Sequence, residues 1–398
     1  MKWKINDDFL ITVIYILSGV MMVGQFLGIH FITSIAYALS FVFVWGVWAL
    51  HLKKCRIIDI LSMIIIGMSF LSVIITCSDI STTYFLNWII FSSVFVYFSV
   101  CLKIKIQFKT FRRLFLINSI VVLFCCMAYV VRYNTAFYVT NTGIKYLKFD
   151  FYNPNCLALF LFCIALVEIL NKFVSQKWYL LKQGFIIVLF SILIAQTLSR
   201  TVLIAFAFFV IIFVIFKRKK KYFLPSSMVF NSFVAVFPLI FAFAYMILIE
   251  NVINNGLFKF LITEGKGLDS RQLVWDYAFE LIKKSPFIGS YGDILESTMF
   301  SQMHNSHLNV LASYGIFAFA LVVVFLIFVL REASINSKES NMELSVWAFI
   351  ICLLLGSGEA ILFSGGLSFY LLVGQFLLFT NVQTESEGGL MCDVAFEK

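Results

Sequence analysis

Long apolar runs separated by short polar connections dominate the chain. Most runs approach about 20 residues, the length that an α-helix needs to cross a bilayer. The pattern therefore predicts about twelve transmembrane helices. They cover residues 9–28, 31–50, 57–76, 84–102, 114–131, 155–170, 183–198, 201–216, 226–249, 308–330, 343–360 and 365–380.

The composition excludes a soluble protein. Of the 398 residues, 62% are hydrophobic and 13% are charged, whereas soluble domains average about 45–50% apolar and about 25% charged. We expect an all-α polytopic membrane protein. Its predicted parts are residues 1–249 with helices one to nine, 250–307 as a large loop, 308–380 with helices ten to twelve, and 381–398 as a tail.

The distribution of Lys and Arg predicts the orientation, because cytoplasmic connections are enriched in both. Most of the basic residues fall on one side if both termini and the tail are cytoplasmic. This asymmetry accounts for the net charge of +9, so nucleic-acid binding is not indicated. The predicted outer connections contain Arg132, Lys145, Lys148, Arg200, Lys259, Lys266, Arg271, Lys283 and Lys284.

Two predicted outer segments, residues 132–153 and 250–307, are longer than packed helices need as connections. We expect the function in the second one. Within it, helical spacing of apolar residues begins after Asp269 and stops at Pro286, which predicts a short amphipathic helix at the outer surface. An ion pair between Glu280 and Lys284 would support this helix.

Three polar residues of the predicted outer side are candidates for chemistry. Arg200 lies where two membrane helices meet, and an Arg at a membrane edge should face protein or a polar ligand. Arg271 lies in the first turn of the predicted amphipathic helix, where free backbone N–H groups also attract an anion. His304 stands at the entrance of the tenth membrane helix.

Other familiar sites are not indicated. The cysteines form no CxxC pair, and the sequence has neither a Gly-Lys-Ser/Thr phosphate loop nor an HExxH motif. The acidic residues Asp59, Glu168 and Glu359 fall near the ends of predicted helices and are interpreted as interface residues. We therefore predict no metal site and no cofactor.

Several short motifs occur together. Ser199-Arg200 ends a mid-chain apolar run, Ser270-Arg271-Gln272-Leu273-Val274-Trp275 opens the loop helix, and Pro286-Phe-Ile-Gly289 follows it. Further along, His304-Asn305 precedes Gly315 by nine intervening residues, and Asn153-Pro154-Asn155 opens the sixth apolar run. In these motifs and in its layout the chain resembles the bacterial O-antigen polymerases and ligases, which include capsular and exopolysaccharide polymerases.

This resemblance implies a GT-C-like, metal-independent glycosyltransferase that takes sugars from polyprenyl (undecaprenyl) pyrophosphate at the outer face of the bacterial cytoplasmic membrane. Arg200 and Arg271 would clamp the pyrophosphate, since the planar guanidinium grips two oxygens. His304 would accept the proton of the acceptor hydroxyl; Glu264, Asp269 or Asp293 could do so instead. The expected substrate-binding residues are Asn305, His307, Trp275 and Asn155.

The nature of the acceptor separates two enzymes of this family. In the ligase branch Gly-x-x-Gly follows the histidine motif, and here Ala318 replaces the second glycine. This favours a polymerase that extends a lipid-linked repeat unit, with an O-antigen ligase as the alternative. A flippase for the same lipid-linked oligosaccharide is the alternative of another class. The expected partners are the lipid bilayer, this lipid-linked oligosaccharide, a chain-length regulator and a flippase.

Overall fold

The fold was obtained as a computed structural model. It describes residues 7–77, 81–139, 143, 145–149, 153–171, 176–219, 227–255, 269–296, 303–340, 342–359, 362–363 and 369–383. Within these residues the protein is almost entirely helical. The first half contains α1 Asp7–Leu27, α2 His30–His51, α3 Ile57–Thr76, α4 Thr82–Lys103, α5 Phe108–Val131, α6 Tyr133–Ala136 and α7 Pro154–Leu170.

The second half continues the same pattern. It contains α8 Gln176–Gln196, α9 Arg200–Lys219, α10 Met228–Asn255, α11 Asp269–Lys284, α12 Tyr291–Glu296, α13 Ser306–Ser340, α14 Glu343–Leu355 and α15 Phe369–Phe379. Four short strands are β1 Ile106–Gln107, β2 Phe137–Val139, β3 Lys145–Leu147 and β4 Val382–Gln383. β1 pairs with β4 in parallel, and β2 pairs with β3 as an antiparallel hairpin.

The membrane class predicted from the sequence is confirmed. Eight helices in the described part of the chain are long and apolar enough to cross a membrane, and four shorter apolar helices accompany them. These helices correspond one for one to the predicted runs, and α3 has the predicted bounds, Ile57–Thr76. The protein is therefore an all-α, multi-pass membrane protein.

The shortest apolar helices lie inside the protein. α14 and α15 have 13 and 11 residues, about 20 and 16 Å at 1.5 Å per residue, less than the roughly 30 Å of a bilayer core. Every residue of α15 is buried, and this helix packs against α4 and α14. Protein rather than lipid surrounds these two helices, so they need not reach full membrane length.

The boundaries of the predicted large loop change. α10 continues to Asn255 instead of ending at residue 249, and α13 begins at Ser306 and continues to Ser340 instead of ending at residue 330. α11 packs against α13 with Trp275 and Ala278 fully buried. One face of the predicted amphipathic helix therefore packs against the helical bundle, while Leu273 on another face is exposed. Its location at the outer membrane surface stays a prediction.

The turn Pro286–Gly289 and the segment around Gly315 pack against each other through backbone atoms. Gly289 and Gly315 both have positive φ, at 84° and 77°. A β-carbon on Gly289 would lie 2.3 Å from the Ser313 oxygen, and one on Gly315 would lie 2.2 Å from the Phe287 oxygen. Only glycine fits both positions. Because the backbone at Gly315 is not helical, it divides α13 into a short first part and a long second part.

Two acidic side chains deep in the bundle correct the sequence interpretation. Asp59 is fully buried, with Lys103 Nζ at 2.6 Å, and Glu168 is 1% exposed, with Lys182 Nζ at 2.8 Å. The prediction that they are interface residues is wrong. Removing one partner of such a buried pair typically costs about 3–5 kcal/mol, so both pairs hold helices together at the end of the bundle opposite to His304.

Candidate functional site

Five segments of the chain meet at one end of the helical bundle, which we call the site end. They are the first residues of α7, α9 and α11, the residues directly before α13, and the turn after α14. The first four contribute Asn155, Arg200, Arg271 and His304. The turn Gly356-Ser-Gly-Glu359 contributes an acidic residue that the sequence analysis did not assign to the site.

Glu359 connects three of the candidate residues. Its Oε1 accepts a hydrogen bond from Asn155 Nδ2 at 2.8 Å and one from Arg271 Nη2 at 3.3 Å. Its other oxygen, Oε2, lies 3.9 Å from His304 Nδ1, within reach of a charge interaction but too far for a hydrogen bond. The Glu359 side chain is only 7% exposed, whereas Arg271 and His304 are 29% and 36% exposed. Arg271 and His304 therefore face the open side of this cluster.

Asn155 owes its position to the start of α7. The side chain of Asn153 caps this helix by accepting a hydrogen bond from the Asn155 backbone N–H at 2.9 Å, and Pro154 occupies the first turn. Asn and Pro are typical of these two positions. The cap fixes the orientation in which Asn155 reaches Glu359.

The backbone before α13 is docked onto the turn after α14. Ser306 donates its backbone N–H to the backbone carbonyl of Gly356 at 2.8 Å, and its hydroxyl to the backbone carbonyl of Glu359 at 3.2 Å. Asn305 Nδ2 donates to the oxygens of Ser357 and Pro238, at 2.9 and 2.7 Å. These bonds set the separation between His304 and the Glu359 carboxylate.

Asn305 and His307 both lie inside the protein. The Asn305 oxygen accepts from the backbone N–H groups of His307 and Leu308, so every hydrogen-bonding position of its amide is occupied by backbone. His307 Nε2 lies 2.6 Å from the Ala235 oxygen. Pro238 lies inside α10. The carbonyls of Ala235 and Pro238, which face His307 and Asn305, both belong to this segment of α10.

Trp275 is fully buried. Its Nε1 donates to the Met303 oxygen at 2.7 Å, and its ring packs edge-to-face against Tyr245. α11 therefore holds the residue that directly precedes His304. Trp275, Asn305 and His307 are therefore buried behind the site and do not line its open side.

Arg200 lies beside this cluster at the start of α9. A β-carbon on Gly358 would lie 3.3 Å from the Thr201 methyl and 3.4 Å from Arg271 Nη1. The close approach at Gly358 thus brings the first turn of α9 next to the Arg271 guanidinium. The Arg200 residue itself is exposed.

Two non-glycine residues at the site have left-handed backbone conformations. Leu198, two residues before Arg200, has φ 59°, and His304 has φ 47°. Each costs roughly 1–3 kcal/mol, and such residues cluster at functional sites. The surrounding contacts therefore hold the backbone before α9 and the backbone before α13 in these unfavourable conformations.

The other candidate bases are not brought to Glu359. Asp293 pairs with Lys284 at 2.8 Å, and this hydrogen bond raises the pKa of Lys284 above its ordinary value. The predicted pair of Glu280 with Lys284 is therefore wrong, because Lys284 pairs with Asp293. Glu264 and the side chain of Asp269 lie outside the described part of the chain.

The sequence contains one local signal for Glu359. A Gly-Ser-Gly turn and an acidic residue directly follow an apolar run, on the side of the membrane predicted for His304. The interpretation of Glu359 as an interface residue is wrong, because its side chain is almost completely buried among polar partners. Among the described residues, no group of three or more His, Cys, Asp or Glu could hold a metal ion.

A comparison with curated proteins found no match. Residues 185–323 match the family model described as O-antigen ligase. This segment extends from α8 into α13 and contains Arg200, Arg271 and His304, while Asn155 and Glu359 reach the same cluster from outside it. Within its bundle of apolar helices, the protein therefore contains a segment similar to the O-antigen ligase family, and this segment carries three of the candidate site residues.

Proposed function

We propose that the protein is a polysaccharide polymerase that transfers a glycan from polyprenyl pyrophosphate onto a lipid-linked repeat unit. The observation that carries the proposal is the convergence of Arg271 and His304 on Glu359, inside a domain of a family whose members transfer glycans. A partly exposed guanidinium group and a partly exposed imidazole on the same carboxylate suit this reaction, which needs an anion clamp and a proton acceptor.

The donor side of the reaction creates negative charge. Cleavage of the bond between the anomeric carbon and the pyrophosphate oxygen leaves the electron pair on the pyrophosphate. Fixed donors that meet this charge lower the barrier, and removing one such donor typically costs about 10²–10³ in kcat. Arg271 and Arg200 are the proposed donors, since their charge is permanent and their geometry is bidentate.

The acceptor side of the reaction releases a proton. A sugar hydroxyl attacks the anomeric carbon, and its proton needs an acceptor near the membrane surface. His304 has the exposure for this role, while Asn155, Asn305, His307 and Trp275 are proposed to support the site from within. The proposed reaction needs no divalent metal ion.

The acceptor of the glycan distinguishes polymerase from ligase. Ala318, which replaces the second glycine of the ligase motif, is fully buried in α13, and this departure favours the polymerase. The ligase remains the second candidate, because the matching family model is described as O-antigen ligase. Capsule, exopolysaccharide or O-antigen synthesis would use such a polymerase.

The location proposed for the reaction is the outer face of the bacterial cytoplasmic membrane, with both chain termini and the tail 381–398 on the cytoplasmic side. The distribution of Lys and Arg supports this orientation. A flippase that delivers the lipid-linked oligosaccharide and a regulator of chain length are the proposed protein partners.

One experiment tests the proposal. Cells that lack the protein should accumulate a single repeat unit on its lipid carrier, and purified protein should extend this extracted material into a ladder without other proteins. A product linked to lipid A core would indicate the ligase. Accumulation on the cytoplasmic face, together with no transfer by the purified protein, would indicate a flippase and contradict both enzymes.

A further inference from the structure

We infer that Glu359 is the positioning residue of the reacting centre: it orients the His304 imidazole so that Nδ1 carries hydrogen and Nε2 is free to accept a proton. This inference rests on the proposed function. It follows from how the contacts of Glu359 are divided between its two oxygens.

The two carboxylate oxygens have different partners. Asn155 and Arg271 both donate to Oε1, while Oε2 is the oxygen nearest to His304. Arg271 also balances the negative charge. The two donors to Oε1 restrain the rotation of the carboxylate, and they leave Oε2 on the side of the imidazole.

The separation from His304 is set by the backbone. Ser306 donates hydrogen bonds to the backbone carbonyls of Gly356 and Glu359, and Asn305 donates one to the backbone carbonyl of Ser357. His304 and Glu359 therefore belong to one locked unit. Hydrogen bonds at catalytic residues commonly tighten when substrate binds, so the 3.9 Å between Nδ1 and Oε2 is a distance that a small rotation of the exposed imidazole closes.

A carboxylate determines which nitrogen of a neutral histidine carries hydrogen, because it can only accept hydrogen bonds. With Nδ1–H directed at Oε2, Nε2 has a free lone pair. As the acceptor oxygen forms its bond to the anomeric carbon, its O–H bond breaks and the proton moves to Nε2. The pyrophosphate leaves with the electron pair, and Glu359 stabilises the imidazolium without taking the proton.

Glu359 itself is a poorer candidate for the proton acceptor. Its side chain is 7% exposed, whereas that of His304 is 36% exposed, so an acceptor sugar meets the imidazole first. Replacing the carboxylate by an amide gives a sharp test. In Glu359→Gln the donors Asn155 and Arg271 hold the amide oxygen, so the NH₂ group faces His304 and forces hydrogen onto Nε2.

The tautomer can be measured without an activity assay. The protein has 4 histidines, so selective ¹⁵N-histidine labelling gives few NMR signals, and the variant His304→Gln identifies those of His304. Under mildly alkaline conditions, where imidazoles are neutral, we expect Nδ1–H in the wild type and Nε2–H in Glu359→Gln. Nε2–H in the wild type, or one tautomer in both proteins, would overturn the inference.

The same variants are assayed with lipid-linked repeat unit from cells that lack the protein. Glu359→Gln should lose about 10²–10⁴-fold in kcat, and Glu359→Asp should recover part of it because the carboxylate returns. Glu280→Gln, on an exposed position of α11, should match the wild type. Normal activity of Glu359→Gln at normal protein amount would refute the positioning role.

The two readouts separate the inference from the proposed function. A wild type that forms no glycan but shows Nδ1–H at His304 would contradict the proposed reaction while supporting the pairing with Glu359. A wild type that forms glycan but shows Nε2–H at His304 would support the proposed reaction and contradict the positioning role of Glu359. If Glu359→Gln does not fold, the wild-type tautomer and Glu359→Asp still decide the inference.

Discussion

The Asn155 side-chain amide donates a hydrogen bond to the Glu359 carboxylate across 2.8 Å, although 204 residues separate the two in the chain. This bond connects the beginning of α7 to the turn after α14. Both residues lie outside the segment that matches the family model, yet the same Glu359 oxygen also accepts a hydrogen bond from Arg271 of that segment. The site is therefore assembled from the whole bundle.

Bidentate geometry at the two arginines is the first property to test. Arg271→Lys and Arg200→Lys keep the charge but lose the planar fork, so each should lower kcat by about 10²–10³. Lys283→Ala, an exposed change on α11, should have little effect. Rates of glycan formation by equal amounts of purified protein provide the measurement, and full activity of both Lys variants would assign a structural role to the arginines.

The helices could be predicted because each one carries its own signal. A run of about 20 apolar residues needs a membrane or a protein interior, whatever surrounds it. The helix ends carry weaker signals, because nothing in residues 250–255 marks the continuation of α10. The buried face of α11 is also not encoded locally: Trp275 is buried, whereas Leu273 is 59% exposed. Periodicity gives a helix, but the partner helix decides which face is buried.

The site was predicted only in part for a similar reason. Arg200, Arg271 and His304 carry local signals, because polar residues at membrane edges stand out. The pairing of Glu359 with them depends on contacts between distant segments, and so does the choice of Lys284 between Glu280 and Asp293. No spacing along the chain encodes these contacts.

The glycine pair predicts a large effect on stability. Alanine at Gly289 or Gly315 requires a left-handed backbone, which costs about 1–3 kcal/mol, and its β-carbon would overlap backbone atoms of the other segment. Both variants should unfold at lower temperature in detergent than the wild type. Gly46→Ala is the control, since nothing lies within 4 Å of its added carbon. A wild-type melting temperature in both variants would show that the two segments can separate.

The orientation predicts a labelling pattern. Cys55 is exposed at the opposite end from the site, so an impermeant thiol reagent should reach it only after the membrane is permeabilised. A cysteine introduced as Lys283→Cys, at the site end, should react in intact cells. Mass spectrometry of the labelled peptides distinguishes the two positions. The reverse pattern would place the site end in the cytoplasm and remove the basis for a reaction at the outer face.

The proposed reaction, which uses no metal ion, predicts resistance to chelation. The donors proposed for the pyrophosphate are guanidinium groups, which need no divalent ion to neutralise the developing charge. Glycan formation by purified protein should therefore persist in excess EDTA. Loss of activity that one divalent ion restores would show that a metal takes part, and Glu359 would then be the first residue to test as its ligand.

The two neighbouring histidines predict opposite kinds of defect. His304 is partly exposed beside Glu359, whereas His307 is 1% exposed and bonds the Ala235 oxygen. His304→Ala should remove about 10²–10⁴-fold of the rate at a normal melting temperature. His307→Ala should lower the melting temperature, because it leaves a cavity and a carbonyl without its donor, and should keep part of the rate. His30→Ala, an exposed change at the start of α2, serves as the matched control. Wild-type rates in His304→Ala would leave the arginines as the only catalytic groups.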